Sequence, residues 1–220
     1  MVGDDVDTPV RVQVWSDVAC PWCFVGKRRF EAAVARFDGQ VEVEYRSFEL
    51  SPETPVDFDG SSVDFLVRHK RMPPEQVRSM LADMTRVAAD EGLAFDFDTV
   101  RHTNTRRAHE LLHLASRAGL QVAMKERLLA AYFEEGRHVG RIDDLADLAA
   151  EVGLDRDDVV AALTSGRHAA DVTADIEQAH EYGISGVPFH VVDGRFAVSG
   201  AQSPETFLAV LQRARDEVPA

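Results

Sequence analysis

The chain has 220 residues, 45% hydrophobic and 28% charged, and 24 basic against 38 acidic residues leave it a formal net charge of −14. That size and balance describe an ordinary water-soluble globule, either one large domain or a core domain carrying an insertion. A negative field of that strength repels phosphate backbones and argues against nucleic acid, and no apolar run approaches the ~18 residues that a membrane helix needs.

Residues Met1 to Pro9 carry Asp4, Asp5 and Asp7 and lack a basic start and an apolar core, so they do not read as a signal peptide. The expected compartment is the cytoplasm. Val10, Val12 and Val14 then alternate with Arg11 and Gln13, which predicts a half-buried strand from Val10 to Trp15. Cys20-Pro21-Trp22-Cys23 opens an amphipathic helix through Phe24, Phe30, Val34 and Phe37, with Gly39 as its stop. Pro21 falls in the first turn, where its missing N–H costs nothing. A second strand follows in Val41, Val43, Tyr45 and Ser47, alternating with Glu42, Glu44 and Arg46. Such a βαβ unit implies parallel neighbours and a right-handed crossover.

A long helical segment comes next. A short helix around Val63 to Arg71 ends at Pro73 and Pro74, and amphipathic stretches follow at 75–91, 105–118, 121–135, 143–152, 157–163 and 168–182. The last piece reads strand, turn, strand, helix. Phe189 to Val192 pairs with Arg195 to Ser199 through the hairpin turn Asp193-Gly194. Ser203 caps the final helix, with Pro204 and Glu205 in its first turn. The predicted fold class is α/β: a small core formed by 9–60 and 183–218, interrupted by an all-helical insertion at 61–182.

Cys20 and Cys23 are the only cysteines. In a reducing compartment a CxxC pair is more often catalytic or metal-binding than a structural staple. Zinc needs two more ligands at compatible spacing, and no second CxxC or CxxH exists. The spacing suits dithiol–disulfide chemistry. Cys20, at the helix N-terminus, is expected to be exposed, to have a lowered pKa and to act as nucleophile. Cys23, one turn further, is expected to face the core and resolve the mixed disulfide. Asp17 reads equally as a group that handles protons and as a turn residue.

Other motifs carry less. His109-Glu110-Leu111-Leu112-His113 matches the zinc-protease pattern HExxH. However, Ser116 and Gly119 stand where the longer metzincin motif needs Gly and His. The stripe Ala108, Leu111, Leu112, Ala115 and Ala118 predicts both histidines on the opposite, outer face, so no metal site is expected. Asn104 and Thr105 read as helix openers, His190 as a strand filler, and Phe48, Tyr132 and Phe133 as core or groove wall.

Gly186-Val187-Pro188-Phe189 sharpens the reading, because a proline at a strand start after two glycines marks a special turn. With Ser16 to Cys23, Arg46 to Leu50, Asn104-Thr105, Ala131 to Phe133, Gly183 to Phe189 and Ser199 to Gln202, the chain resembles the DsbA-like branch of the thioredoxin superfamily, nearest its FrnE-like subfamily. The resemblance implies a thioredoxin-like fold in which βαβ and ββα halves flank a helical insert. It implies a cis Pro188 beside Cys20 and Cys23, and a Val187 backbone that pairs with substrate. It also implies protein or small-molecule disulfides as substrates, no bound cofactor, and glutathione or a thioredoxin-type protein as regenerating partner. Trp22 stands where strongly oxidising members carry histidine, so a higher Cys20 pKa and a less oxidising disulfide than theirs are expected. The rivals are a kappa-class glutathione transferase or hydroxychromene-carboxylate isomerase, whose relatives carry serine where this chain has Cys20, and a holdase chaperone.

Overall fold

Strand β1 (Val10–Ser16) lies inside a four-stranded sheet in the computed structural model of the chain, which describes residues 8–217. Asp4, Asp5 and Asp7 of the N-terminal reading, and Val218 at the end of the 183–218 span, lie outside the described residues. Helix α1 (Pro21–Val34) carries the chain from β1 to β2 (Val41–Ser47), which runs parallel to β1 with Val10 opposite Val41. Strand β3 (Phe189–Val192) pairs antiparallel with the other edge of β1, and β4 (Phe196–Ser199) closes the order β2-β1-β3-β4. Asp193 and Gly194 both take positive φ, 50° and 65°, as a two-residue hairpin turn demands. Helix α9 (Pro204–Asp216) then packs back on the sheet, its first turn capped by Ser203.

Seven helices separate the two halves: α2 (Ser62–Lys70), α3 (Pro74–Asp90), α4 (Arg106–Arg117), α5 (Gln121–Phe133), α6 (Ile142–Glu151), α7 (Arg156–Ser165) and α8 (Ala169–Glu181). The predicted elements fall within a few residues of these. One difference is the end of α1, which stops at Val34 because Arg36 and Phe37 turn back to the carbonyls of Ala33 and Val34. Phe37 stays in the core although it lies beyond the helix. This is the thioredoxin-like fold with a helical insertion.

Helix α1 belongs to two cores. Phe30 and Ala33 pack under the sheet with Val10, Val12, Val14, Phe207 and Leu211. Phe24 and Val25, near its N-terminus, pack instead among the helices of the insert, with Leu111, Leu128 and Phe133. The cysteine motif therefore sits where the sheet half meets the insert. Among the described residues no helix is long and apolar enough to cross a membrane.

Candidate active site

Cys20 is the N-cap residue of α1, in extended conformation (φ −95°, ψ 113°), and its side chain makes no capping bond. Its Sγ lies 3.6 Å from the carbonyl oxygen of Val187, within reach of a thiol hydrogen bond. The Val187–Pro188 peptide bond is cis. Gly26, one turn into the helix, makes the approach possible: a Cβ there would lie 2.9 Å from Pro188 Cγ. Only a residue without a side chain lets the Pro188 loop rest on α1 at that distance.

Both cysteines are free thiols, and both are buried, at 4% and 3% exposure. The expectation of an exposed Cys20 with a lowered pKa is corrected here. Its hydrogen bond to Cys23, and then burial, push the Cys20 thiol up. Burial also pushes Cys23 up, but the hydrogen bond from Cys20 and the nearby Lys125 cation outweigh it and draw that thiol down. The two sulfurs share a proton, so their first ionisation belongs to the pair. The helix N-terminus is one influence on that pair, and the partner sulfur is a stronger one.

The exposure that remains is directional. A cleft of about 890 Å³ opens beside the motif, and Asp17, Cys20, Pro21, Trp22 and Val187 line it. Cys23 is not among its walls. Trp22 and Leu50, each 45% exposed, stand at the rim. The structure thus gathers Asp17, Cys20, Pro21, Trp22, Cys23, Val187 and Pro188 into one place, with Cys20 as the sulfur that meets the cleft. A larger open groove of about 1100 Å³ lies at the opposite end of β1, but it holds no thiol. Its charged walls are already paired, Arg11 with Glu42 and Arg46 with Glu44.

Beneath the thiols lies a buried charge cluster that sequence reasoning missed. Asp17 is 1% exposed and accepts hydrogen bonds from the backbone N–H groups of Leu50 (2.8 Å) and Ala19 (3.2 Å). Burial raises its pKa, yet His109, the Leu50 N–H and Lys125 together bring it below the ordinary carboxylate value. His109 Nε2 lies 3.4 Å from Asp17 Oδ1 without hydrogen-bond geometry. Lys125 is completely buried on α5, its ammonium has no hydrogen-bond partner among the described residues, and it sits 5.5 Å from the centre of the Tyr45 ring. Burial lowers its pKa, against the pull of Cys23, Asp17 and Cys20.

The HExxH reading also needs correction. His109 is fully buried against the loop that carries Asp17, and His113 Nε2 hydrogen-bonds with Ser47 Oγ (3.2 Å) and lies 3.0 Å from Asp175 Oδ2. Neither histidine faces outward, because α4 is enclosed on both sides: by α5, α6 and α7, and by α8. Each lies beside a carboxylate, and no group of metal-ligating side chains is assembled among the described residues. His190 is buried between the rings of Phe30 and Phe207, and Phe48 packs near Trp15. Tyr132, Phe133 and Thr105 line the cleft. Asn104, rather than Thr105, caps α4, accepting from the N–H of Arg106 at 2.9 Å.

Comparison with known proteins agrees with this geometry. A probable DsbA oxidoreductase from Streptomyces coelicolor is 39% identical, superposes with a TM-score of 0.90, and covers 96% of this chain and 92% of its own. The uncharacterised protein YwbO of Bacillus subtilis is 30% identical over 200 residues, which is 90% of this chain and 94% of YwbO. The cytosolic disulfide reductase DsbM of Pseudomonas aeruginosa, solved with glutathione, shares the fold at 20% identity and a TM-score of 0.64, covering 92% of this chain and 98% of its own. The family model of the DSBA-like thioredoxin domain matches residues 11–212. The chain belongs to the DSBA-like thioredoxin domain family, and its enzyme class is thiol-disulfide oxidoreductase.

Proposed function

We propose that the protein exchanges thiols and disulfides through Cys20 and Cys23 by way of a mixed disulfide. The observation that carries this is the placing of the two sulfurs: Cys20 reaches both the cleft and the Val187 carbonyl, while Cys23 lies behind it. Moving the shared proton from Cys20 to Cys23 makes Cys20 the nucleophile. Cys20 attacks one sulfur of the incoming disulfide and expels the other as thiolate. Cys23 then gives up its proton, attacks Cys20 and releases the second thiol. Val187, which lines the cleft beside Cys20, would bound the approach of the incoming disulfide.

The thioredoxin-like part is 9–60 with 183–218, and the insertion 61–182 supplies most of the cleft. The FrnE-like placing, a cytoplasmic setting, and regeneration by glutathione or a thioredoxin-type protein belong to the same proposal. The reduction potential of the Cys20–Cys23 couple sets whether the working direction is oxidation, reduction or isomerisation.

Two variants test the mechanism. Cys23→Ser should accumulate mixed disulfides that dithiothreitol releases, and Cys20→Ser should lose disulfide reduction and trap far fewer adducts. A glutathione transferase or isomerase would use the first position only to orient a bound thiolate, so serine there would preserve turnover. Retained activity in Cys20→Ser, with no adducts from Cys23→Ser, sinks the proposal.

A further inference from the structure

We infer that the cleft beside Cys20 selects a small, uncharged, largely apolar disulfide, in preference to glutathione disulfide or a polypeptide segment. The inference rests on the thiol–disulfide reading above and names its substrate class. Leu66, Met80, Met84, Phe97 and Phe133 form the apolar walls. A volume near 890 Å³ lies in the range of pockets that enclose a small organic molecule.

Depth argues against a polypeptide. Met84, Phe133, Tyr132 and Thr54 are at least nine-tenths buried, so the cleft enters the interior of the insert. A peptide backbone taken that far would bring N–H and C=O groups that need partners. Ser51, Gln76 and Ser79 stand on the cleft's more open walls, and most of the polar side chains deeper in it are engaged. The Ser62 hydroxyl gives its proton to the carbonyl of Phe97 at 2.7 Å, so it can only accept from His102 Nε2 at 3.0 Å. His102 Nδ1 must then accept from the Tyr132 hydroxyl, also at 3.0 Å. This chain of three side chains is closed on itself. Burial, with a small contribution from His69, holds the His102 ring neutral, its pKa lowered to about 4.

One polar atom on the cleft's walls is both buried and unpaired. Thr54 Oγ1 is buried on the wall with no hydrogen-bond partner among the described residues. It offers one hydrogen bond, enough for a single polar group on an otherwise apolar molecule. Charge is poorly provided for. Asp17 is occupied by backbone N–H groups, Asp83 is paired with Arg86, and the ring of His69 stacks on Phe65 at 3.9 Å. That leaves Lys70 to face the several carboxylates of glutathione disulfide, in a protein of net charge −14.

With a disulfide R–S–S–R in the cleft, Cys20 sulfur bonds one R–S group and R–S⁻ departs. Cys23 then bonds Cys20, and the second R–S⁻ departs. Two electrons pass from the dithiol to the substrate, and its two protons end on the released thiols. No further reactant is needed for one turnover of the reduced protein.

The test follows oxidation of the reduced protein by dibenzyl disulfide, glutathione disulfide and a short disulfide-cyclised peptide, each rate normalised to the same reagent's reaction with free dithiothreitol. Dibenzyl disulfide should react at least about tenfold faster than the other two. The hydrocarbon 1,4-diphenylbutane, which has the same shape and cannot exchange, should compete with it. Met80→Glu, on the half-buried wall, should weaken binding of that hydrocarbon about tenfold or more. If that variant fails to fold, competition in the unaltered protein still decides. Glutathione disulfide or the peptide reacting as fast, with no competition by the hydrocarbon, overturns the inference and leaves the thiol chemistry standing. Hydrocarbon binding with no oxidation by any disulfide removes the thiol reading and keeps the cleft assignment.

Discussion

The two ends of helix α1 handle buried ionisable groups in opposite ways. Toward the sheet, Phe30 and Ala33 meet an apolar core that encloses the imidazole of His190 between Phe30 and Phe207, with ring centres 5.5 and 4.7 Å away. Burial there lowers the His190 pKa to about 4, so that end of the helix works with a neutral ring. At the cysteine end, Asp17, His109 and Lys125 are equally enclosed, yet they bring opposite charges together under two coupled thiols. Buried charge is expensive unless it is compensated, and a core meant only for stability has no use for it. The contrast marks the cysteine end as the part of the helix where stability gives way to chemistry.

The largest effect should come from removing the anion of that cluster. Asp17→Ala takes away the acceptor for the Leu50 and Ala19 N–H groups and leaves Lys125 buried without one of its compensating charges. Breaking a buried pair from one side costs about 3–5 kcal/mol. Urea denaturation should show a loss of that order. A loss below about 1 kcal/mol would mean that the cluster is hydrated and the contrast between the two ends is weaker than described.

An acid titration comes next and probes the sheet end. His190 is held near 4 when folded, against an ordinary 6.5. Above pH 6.5 the ring is neutral in both states, and its contribution to stability is complete. As the pH falls from 6.5 through about 4, the unfolded chain binds a proton that the folded one refuses. The loss should level off near 3 kcal/mol, an order-of-magnitude figure. His190→Phe should remove this share of the acid sensitivity, leaving that of His102, whose folded pKa is also about 4. An unchanged pH profile in His190→Phe would show that the sheet end does not exclude the proton.

These experiments also separate what the sequence displays from what it hides. Alternation in Val10 to Val14 and in Val41 to Tyr45 marks strands, since each has one face on the core and one on solvent. CxxC and Gly186-Val187-Pro188 were legible because thiol chemistry and a cis proline demand particular residues at particular places. The pairing of His109 with Asp17 was not legible. Reading α4 from one apolar stripe assumes a single buried face, and this helix is enclosed on two. Gly26 against Pro188, and Tyr132 with His102 and Ser62, join residues that only the fold brings together. Lys125 did leave a trace, as a charge in the buried series Gln121, Lys125, Leu128 and Tyr132 on α5. A lysine at a core position of an amphipathic helix is a conflict between pattern and residue, and such conflicts gather at functional sites.

Lys125 also gives the smallest and most discriminating test. Its cation faces Cys20 and Cys23 at the start of α1, Asp17 on the preceding loop, Lys27 further along the helix and the Tyr45 ring on β2. Replacing it by methionine keeps the length of the side chain and removes the charge. The thiolate shared by the cysteines then loses a nearby cation, so the first ionisation of the pair should move up by about one unit, or 1.4 kcal/mol. Thiolate absorbance at 240 nm across a pH titration of the reduced protein reads this directly. Stability should fall. Methionine removes an ammonium that has no hydrogen-bond partner among the described residues, but it leaves Asp17 and the shared thiolate buried without that cation. Asp17 keeps its two N–H donors, so Lys125→Met is expected to raise the thiol pKa and to lower stability by less than Asp17→Ala does. A variant that loses stability with its thiol titration unmoved would show that Lys125 serves packing alone, and that the charge beneath Cys23 plays no part in the chemistry above it.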